Sequence, residues 1–383
     1  GIDYATIGNN EGIGLAKDEL DCLYEKAKFQ PIIGNLKDEG RQPEWGKPYL
    51  IHKTKAGTKI AFLAYTFPYY ITYAPNGWQV LEPMARLEED LARPEVRDAD
   101  IIIVLSHLGV RYDEQIAETY PQVNLVIGSH THHLFEEGKL INETYLAAAD
   151  RYGYYLGCID LTVENGQLIE CQVEAIPTKS YILDLDKEDE AFIKAMREEG
   201  HRRLAQKKVA NLGRELDFDE TCQLVLQAVC QETHSQLTLL NTGLIMKTLG
   251  PQVTMADLQE ALPHQMRMAR LVVTGQELKE ICQEVFTKAE LLKNQAIKGM
   301  GFRGKTFGEV ITGNFAYKNG NLLYNRRVVD SNEKFSLVLV DQYYFASYFP
   351  TIKEKEVTLL FPDLLRELVA KYLGKNGANW DKI

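Results

Sequence analysis

Two apolar runs, Asp100–Leu105 and Val123–Ile127, each lead into a polar string that carries histidine. Ser106-His107-Leu108-Gly109 follows the first run, and Gly128-Ser129-His130-Thr131-His132 follows the second. Runs this short, bounded by polar turns, read as buried parallel strands rather than helices. Such strands call for an α/β scaffold, whose crevice lies beyond the carboxyl ends of the strands. The run Tyr4–Ile7 places Asn9 at a third strand end. An amide oxygen and three imidazoles converging on one rim, from Asn9, His107, His130 and His132, suit a borderline cation such as zinc or manganese. Taken singly, each histidine could be a satisfied structural residue, and Asn9-Asn10 could simply form a turn. Their joint order favours the metal. His133 reads as a loop residue, and His52, His201 and His234 as surface or packing histidines.

The remaining composition narrows the partners. A chain of 383 residues suits two or three domains. Its net charge of -11 gives no nucleic-acid footprint, so phosphate affinity must come from metals and a few local cations. No apolar run approaches membrane-spanning length. The six cysteines show no metal spacing. Cys222 and Cys230 lie too far apart along a helix to pair, whereas Cys158 and Cys171 fall on adjoining strands of a hairpin and could pair. Free thiols and a reducing, cytoplasmic compartment are favoured, with a secreted or cell-surface location left open.

Along the chain, residues 1–178 read as the first domain. Pro31–Gly34 is a short strand, and Tyr49–Lys53 with Lys59–Phe67 makes a hairpin across Ala56-Gly57. Leu81–Ala92 carries Leu81, Met84, Leu87 and Leu91 at helical spacing. Tyr154–Val163 and Gln167–Ala175 flank Asn165-Gly166, a strong hairpin signal. The charge-rich segment 179–209 reads as a linker helix, and 210–383 as a second, α+β domain. There Thr221–Glu232, Met255–Leu262 (capped by Thr254) and Gln276–Ala289 are helices, and Gln236–Leu240 and Phe335–Val340 strands.

In this order, Gly8-Asn9-Asn10-Glu11, the Ser-His-Leu-Gly string and the Gly-Ser-His-Thr-His string resemble the calcineurin-like metallophosphoesterase superfamily. More narrowly, the chain resembles the 5'-nucleotidase family. Leu240-Asn241-Thr242-Gly243-Leu244-Ile245 is similar to its "N-x-G-x-x" segment, Val253–Leu258 and Leu271–Leu278 to its "iT-x-x-dl" and "ltG-x-x-L" segments, and Phe361–Arg366 to its closing stretch. The likeness spans nearly the whole chain. It implies an α/β/β/α sandwich domain followed by an α+β substrate-binding domain. It also implies hydrolysis of nucleoside 5'-monophosphates or related nucleotides by in-line attack of a metal-bound hydroxide, without a covalent intermediate. A UDP-sugar or 2',3'-cyclic nucleotide hydrolase, or a weakly catalytic nucleotide-binding protein, are the alternatives.

Carried over residue by residue, the resemblance makes Asn9, His107, His130 and His132 metal ligands and puts Asn10 at the family's catalytic histidine. The family's Asp-x-His and Gly-Asp motifs, which precede that string, do not stand in this sequence, so it reads as a member lacking its first strands. Intact relatives are expected to hold two divalent ions, zinc or manganese. Without the bridging aspartate that lets two cations sit about 3.5–4 Å apart, this chain is expected to hold at most one well. In the second domain the resemblance implies two aromatic rings sandwiching a base, one from Phe302 to Phe307, the other from Tyr343 to Phe345; Phe302 and Tyr343 are the candidates. Met246 stands where the family expects a phosphate-binding arginine. Lys247 beside it, with Arg270, Arg267 and Arg303, are candidate substitutes, though a lysine cannot reproduce a bidentate clamp.

Overall fold

Alternation of apolar runs with polar turns builds the first unit around one mixed sheet. The computed structural model describes residues 1–180, 187–297, 301–346 and 348–376. It divides into two units, Gly1–Leu185 and Asp186–Ile383. The first opens with β1 (Tyr4–Ala5), α1 (Asn9–Gly14) and α2 (Lys17–Leu23). Next come β2 (Gln30–Pro31), β3 (Leu36–Lys37), β4 (Tyr49–Lys53), β5 (Lys59–Thr66), α3 (Tyr70–Tyr73), β6 (Gln79–Val80), α4 (Pro83–Leu91) and α5 (Pro94–Arg97). β7 (Ile101–His107), α6 (Val110–Thr119), β8 (Leu125–Gly128), β9 (Lys139–Ile141), β10 (Thr144–Ala147), β11 (Tyr155–Glu164) and β12 (Gln167–Pro177) complete it.

The main sheet has the order β4-β5-β7-β8-β10-β9. Its four central strands, β5, β7, β8 and β10, are parallel, and antiparallel β4 and β9 close the edges. Burial on both faces explains the continuous apolar runs. One face packs Ala61, Leu63, Val104 and Val126 against Leu87 and Leu91 of α4 and Ile116 of α6. The other packs Ile101, Ile103 and Leu125 against Ile159, Leu161 and Val173 of the β11–β12 hairpin. Helices, sheet and hairpin therefore stack in layers. A smaller cluster around Ile7, Leu20, Tyr73 and Trp78 anchors the N-terminal helices.

Several elements differ from the sequence expectation. The strand expected at Pro31–Gly34 is only Gln30–Pro31, and Tyr4–Ile7 shortens to Tyr4–Ala5. Asn9 and Asn10 open a short helix instead of a turn, because the Glu11 carboxylate accepts from the Gly8 N–H and closes its first turn. Cys158 is exposed opposite Glu174, Cys171 is buried opposite Leu161, and all six cysteines are free thiols.

In the second unit, α7 (Lys187–Ala205), expected as a linker, packs on α9 (Met255–Ala261). Between and after them lie β13 (Lys208–Asn211), α8 (Phe218–Glu232), β14 (Leu237–Asn241), β15 (Gln252–Thr254), β16 (Arg267–Thr274) and α10 (Gly275–Lys293). The chain continues through β17 (Val310–Gly313), β18 (Phe315–Lys318), β19 (Asn321–Tyr324), β20 (Arg327–Val328) and β21 (Lys334–Val340). It ends with α11 (Asp341–Phe345), α12 (Pro350–Lys353), β22 (Thr358–Leu364) and α13 (Leu365–Asn376). The sheet runs β17-β14-β21-β16-β22 over a core that includes Leu239, Leu271, Leu337, Ile281 and Val369. Capping residues set the helix starts. Asp217, accepting from the Glu220 N–H, starts α8 earlier than its apolar spacing implies, and Thr254 caps α9 as expected.

Candidate metal centre and its aromatic rim

Strand register assembles the site. Thr66 of β5 lies opposite His107 of β7, and Ser106 lies opposite Gly128 of β8. The residues that leave these three strands, Phe67, His107 and Ser129-His130, therefore share one end of the sheet. Gly128 is required by close approach, since a Cβ there would stand 2.4 Å from an Asp113 carboxylate oxygen. Asp113 in turn accepts from the Ser106 hydroxyl.

Asn9 comes to the same rim from the start of α1. Its Oδ1 stands 2.9 Å from His107 Nε2 and 2.9 Å from His130 Nδ1, and the two ring nitrogens are 3.3 Å apart. Proton placement on these atoms is constrained by Ser129. Its hydroxyl donates to the Ser106 carbonyl at 2.9 Å and lies 2.9 Å from His107 Nδ1. With its one hydrogen committed, the hydroxyl oxygen accepts from His107 Nδ1–H, which leaves Nε2 as a lone pair. That lone pair faces the lone pairs of Asn9 Oδ1, with only His130 Nδ1 completing the triangle. With its hydrogen on Nδ1, neutral His130 donates into this triangle; with that hydrogen on Nε2, the three atoms present lone pairs and are complementary to a cation.

Electrostatics agree with a neutral ligand set. Burial, then the charges of His130 and His132, hold the His107 imidazole down at about 4. Burial and His132 likewise lower His130. Both rings are thus unprotonated near neutrality, the form that binds a metal. His130 and His132 adopt left-handed backbone, with φ of 67° and 55°. Such backbone in a non-glycine residue costs energy and tends to collect at functional sites. His132 is exposed and lies within electrostatic reach of both imidazoles without a hydrogen bond to either. Among the described residues no three His, Cys, Asp or Glu side chains gather as a metal site. The third donor here is an amide.

Two contributors escaped the sequence reading. Ser129 sits inside the histidine string, but its role depends on the Ser106 carbonyl across the β7–β8 register. Phe67 stacks on His130 at 4.8 Å and 17°, and also meets Tyr69 at 4.6 Å and Tyr112 at 6.0 Å. Only its position just beyond β5 could have signalled it. Asn10 is exposed at the edge of this group, its amide oxygen 3.4 Å from Asn9 Nδ2.

The other candidates lie in the second unit and are engaged in its architecture. Lys247 pairs with Glu260 at 2.7 Å on the surface. Arg270 donates to the Thr233 carbonyl and, at 3.3 Å, to the Ser235 hydroxyl, which ties the end of α8 to β16. Phe302 is 5% exposed and stacks on buried His264 at 4.7 Å. Tyr343 is fully buried and stacks on Phe307 at 5.8 Å. Its hydroxyl donates to Asn241 Oδ1 at 2.7 Å, and the Asn241 amide donates to the Phe307 carbonyl. Phe302 and Tyr343, expected to sandwich a base, both pack within the core of this structure. Gly243 completes this clamp, because a Cβ there would meet the Thr306 carbonyl at 2.2 Å. The nearby open groove, about 640 Å³, is lined by Phe218, Thr242, Lys293 and Glu309 among others.

A strand-end set of histidines and an amide, on a layered α/β unit joined to an α+β unit, defines a class, the metal-dependent phosphoesterases. Comparison with known proteins agrees. The chain is 34% identical over 390 residues to the uncharacterised metallophosphoesterase YunD of Bacillus subtilis, an alignment covering 96% of this chain and 83% of the relative. Among solved structures, the NAD nucleotidase of Haemophilus influenzae superposes with a TM-score of 0.60 at 15% identity, over 98% of this chain and 81% of that one. The 5'-nucleotidase precursor of Thermus thermophilus superposes with a TM-score of 0.52 at 16% identity, with coverages of 98% and 81%. No family model matches the chain. The chain belongs to the metallophosphoesterases. Members of this family use divalent metals. Among the described residues, no helix is long and apolar enough to cross a membrane.

Proposed function

We propose that the chain is a metal-dependent hydrolase of nucleoside 5'-monophosphates or related nucleotides, with Asn9, His107 and His130 holding a divalent cation and His132 completing the set. The observation that carries this reading is the triangle of Asn9 Oδ1, His107 Nε2 and His130 Nδ1. A divalent cation held there supplies Lewis acidity toward phosphoryl oxygens and lowers the pKa of water. Ser129 keeps His107 in the tautomer whose Nε2 is free to ligate. Phe67 covers one side of His130 and limits water there. Asn10 can donate a hydrogen bond to a phosphoryl oxygen but cannot carry charge or shuttle a proton.

The test is phosphate release from a panel of nucleotides by the full-length protein with added manganese. Release that His107→Ala abolishes supports the reading, and no release from any phosphoester contradicts it. Asn10 supports a second reading, a nucleotide-binding protein with little turnover. Tight nucleotide binding without release would select it.

A further inference from the structure

The helix α7 (Lys187–Ala205) docks on the second unit through its last turns. Leu204 and Ala205 are half-buried, His201 Nδ1 lies 3.8 Å from a Glu260 carboxylate oxygen of α9, and the Lys207 carbonyl accepts from the Met255 N–H at 3.0 Å. Residues 189–198 are exposed throughout. Among them Phe192, Ile193 and Met196 are 65%, 40% and 51% exposed and share one helix face. Other exposed apolar residues of this unit, Val272, Leu291 and Val328, stand on three different elements, as scattered surface residues do. The α7 face is also symmetric in sequence. Asp189, Phe192, Met196, Gly200 and Arg203 follow one another at steps of three, four, four and three residues, so the stripe reads alike from either end. Its two ends carry opposite charge. Glu188-Asp189-Glu190 make the start acidic, whereas Arg202 and Arg203 share one carboxylate, Glu199, at 2.7 Å each and keep a positive excess.

We propose that a second copy of this chain docks on this face, with the two α7 helices antiparallel about a twofold axis at Met196. A twofold interface pairs one patch with itself, so a stripe symmetric about its centre is what such a contact needs. Met196 then meets Met196, Phe192 meets Gly200 of the second copy, and Asp189 meets Arg203 of the second copy. A Cβ on Gly200 would find nothing within 4 Å, so the surface there is open to the Phe192 ring. A glycine inside a helix is otherwise a cost, and close approach of a neighbour is one use for it. Charge selects the direction. A parallel pair would set Asp189 against Asp189 and Arg203 against Arg203, whereas the antiparallel pair sets each against its opposite. The occupant is therefore a copy of the same surface rather than an unrelated apolar segment. One helix pair is a small interface, so the dimer forms at about micromolar concentration rather than permanently.

The experiment is sedimentation equilibrium of the full-length protein across a micromolar concentration series. The wild type is expected to show a monomer–dimer equilibrium. Met196→Glu sets two carboxylates together on the axis and should weaken the dimer at least about tenfold. Arg203→Asp should weaken it about tenfold as well, by setting a carboxylate against Asp189 of the second copy. Adding Asp189→Arg to that variant exchanges the two charges and should restore the dimer. All three positions are exposed, so circular dichroism and thermal melting of the variants should match those of the wild-type monomer. A monomer at every concentration would overturn the proposal and leave the face to a partner of other chemistry. A dimer that Met196→Glu and Arg203→Asp leave intact would overturn it too, as would a double variant that stays monomeric.

Discussion

The two units spend their aromatic side chains in opposite ways. At the rim of the first, Phe67 and Tyr69, both half-buried, meet the candidate metal ligand His130. In the second, Phe302, Phe307 and Tyr343 are core residues, and the motif asparagine Asn241 is bonded to two of their segments. The same residue types therefore line the candidate metal site in one unit and pack the core of the other.

Substitutions can break this contrast. His107→Ala should have the largest effect on the first unit, with manganese affinity falling at least about 100-fold and phosphate release lost, since even partners behind a ligand are worth 10- to 100-fold. Calorimetric titration with manganese checks it, and thermal stability should hardly change. Phe302→Ala should do the converse and cost about 3–5 kcal/mol in denaturant unfolding, with manganese affinity intact. Tyr343→Phe is smaller: it leaves buried Asn241 Oδ1 without its donor, worth about 1–3 kcal/mol in the same assay. Ser129→Ala should weaken manganese binding about 10- to 100-fold, because His107 is then free to take the tautomer that blocks Nε2.

Among the described residues, each unit holds one carboxyl group pushed up to about 7, chiefly by burial: Asp113, opposed by the Ser106 hydroxyl, and Asp341, opposed by Arg267. Between about pH 4 and 7 the unfolded chain has released these protons and the folded chain has not. Stability therefore falls as pH rises through that window, by up to about 1.4 kcal/mol per pH unit for each group, and levels off above pH 7. Asp113→Asn should flatten its share of the slope in urea titrations at several pH values. A slope unchanged by that substitution would remove Asp113 from the account.

Much of this was legible from sequence where the signal is local. The runs before His107 and His130 predict β7 and β8, Asn165-Gly166 predicts the β11–β12 hairpin, and Thr254 predicts the start of α9. Asn9, His107 and His130 stand out in the sequence because each follows a strand. What stayed hidden depends on pairing between distant segments. Ser129 acts on His107 only because Ser106 and Gly128 are in register, and Phe67 reaches His130 because Thr66 pairs with His107. Likewise, Asn241 stands in a recognisable segment, but its clamp on residues 307 and 343 shows only once the distant segments meet.

The most direct test is anomalous diffraction at the manganese edge from crystals of the full-length protein grown with the ion. The account predicts a peak within bonding distance of Asn9 Oδ1, His107 Nε2 and His130 Nδ1, with those atoms spread apart to admit it. A fully occupied manganese elsewhere, or none at saturating concentration with the triangle still closed, would contradict it.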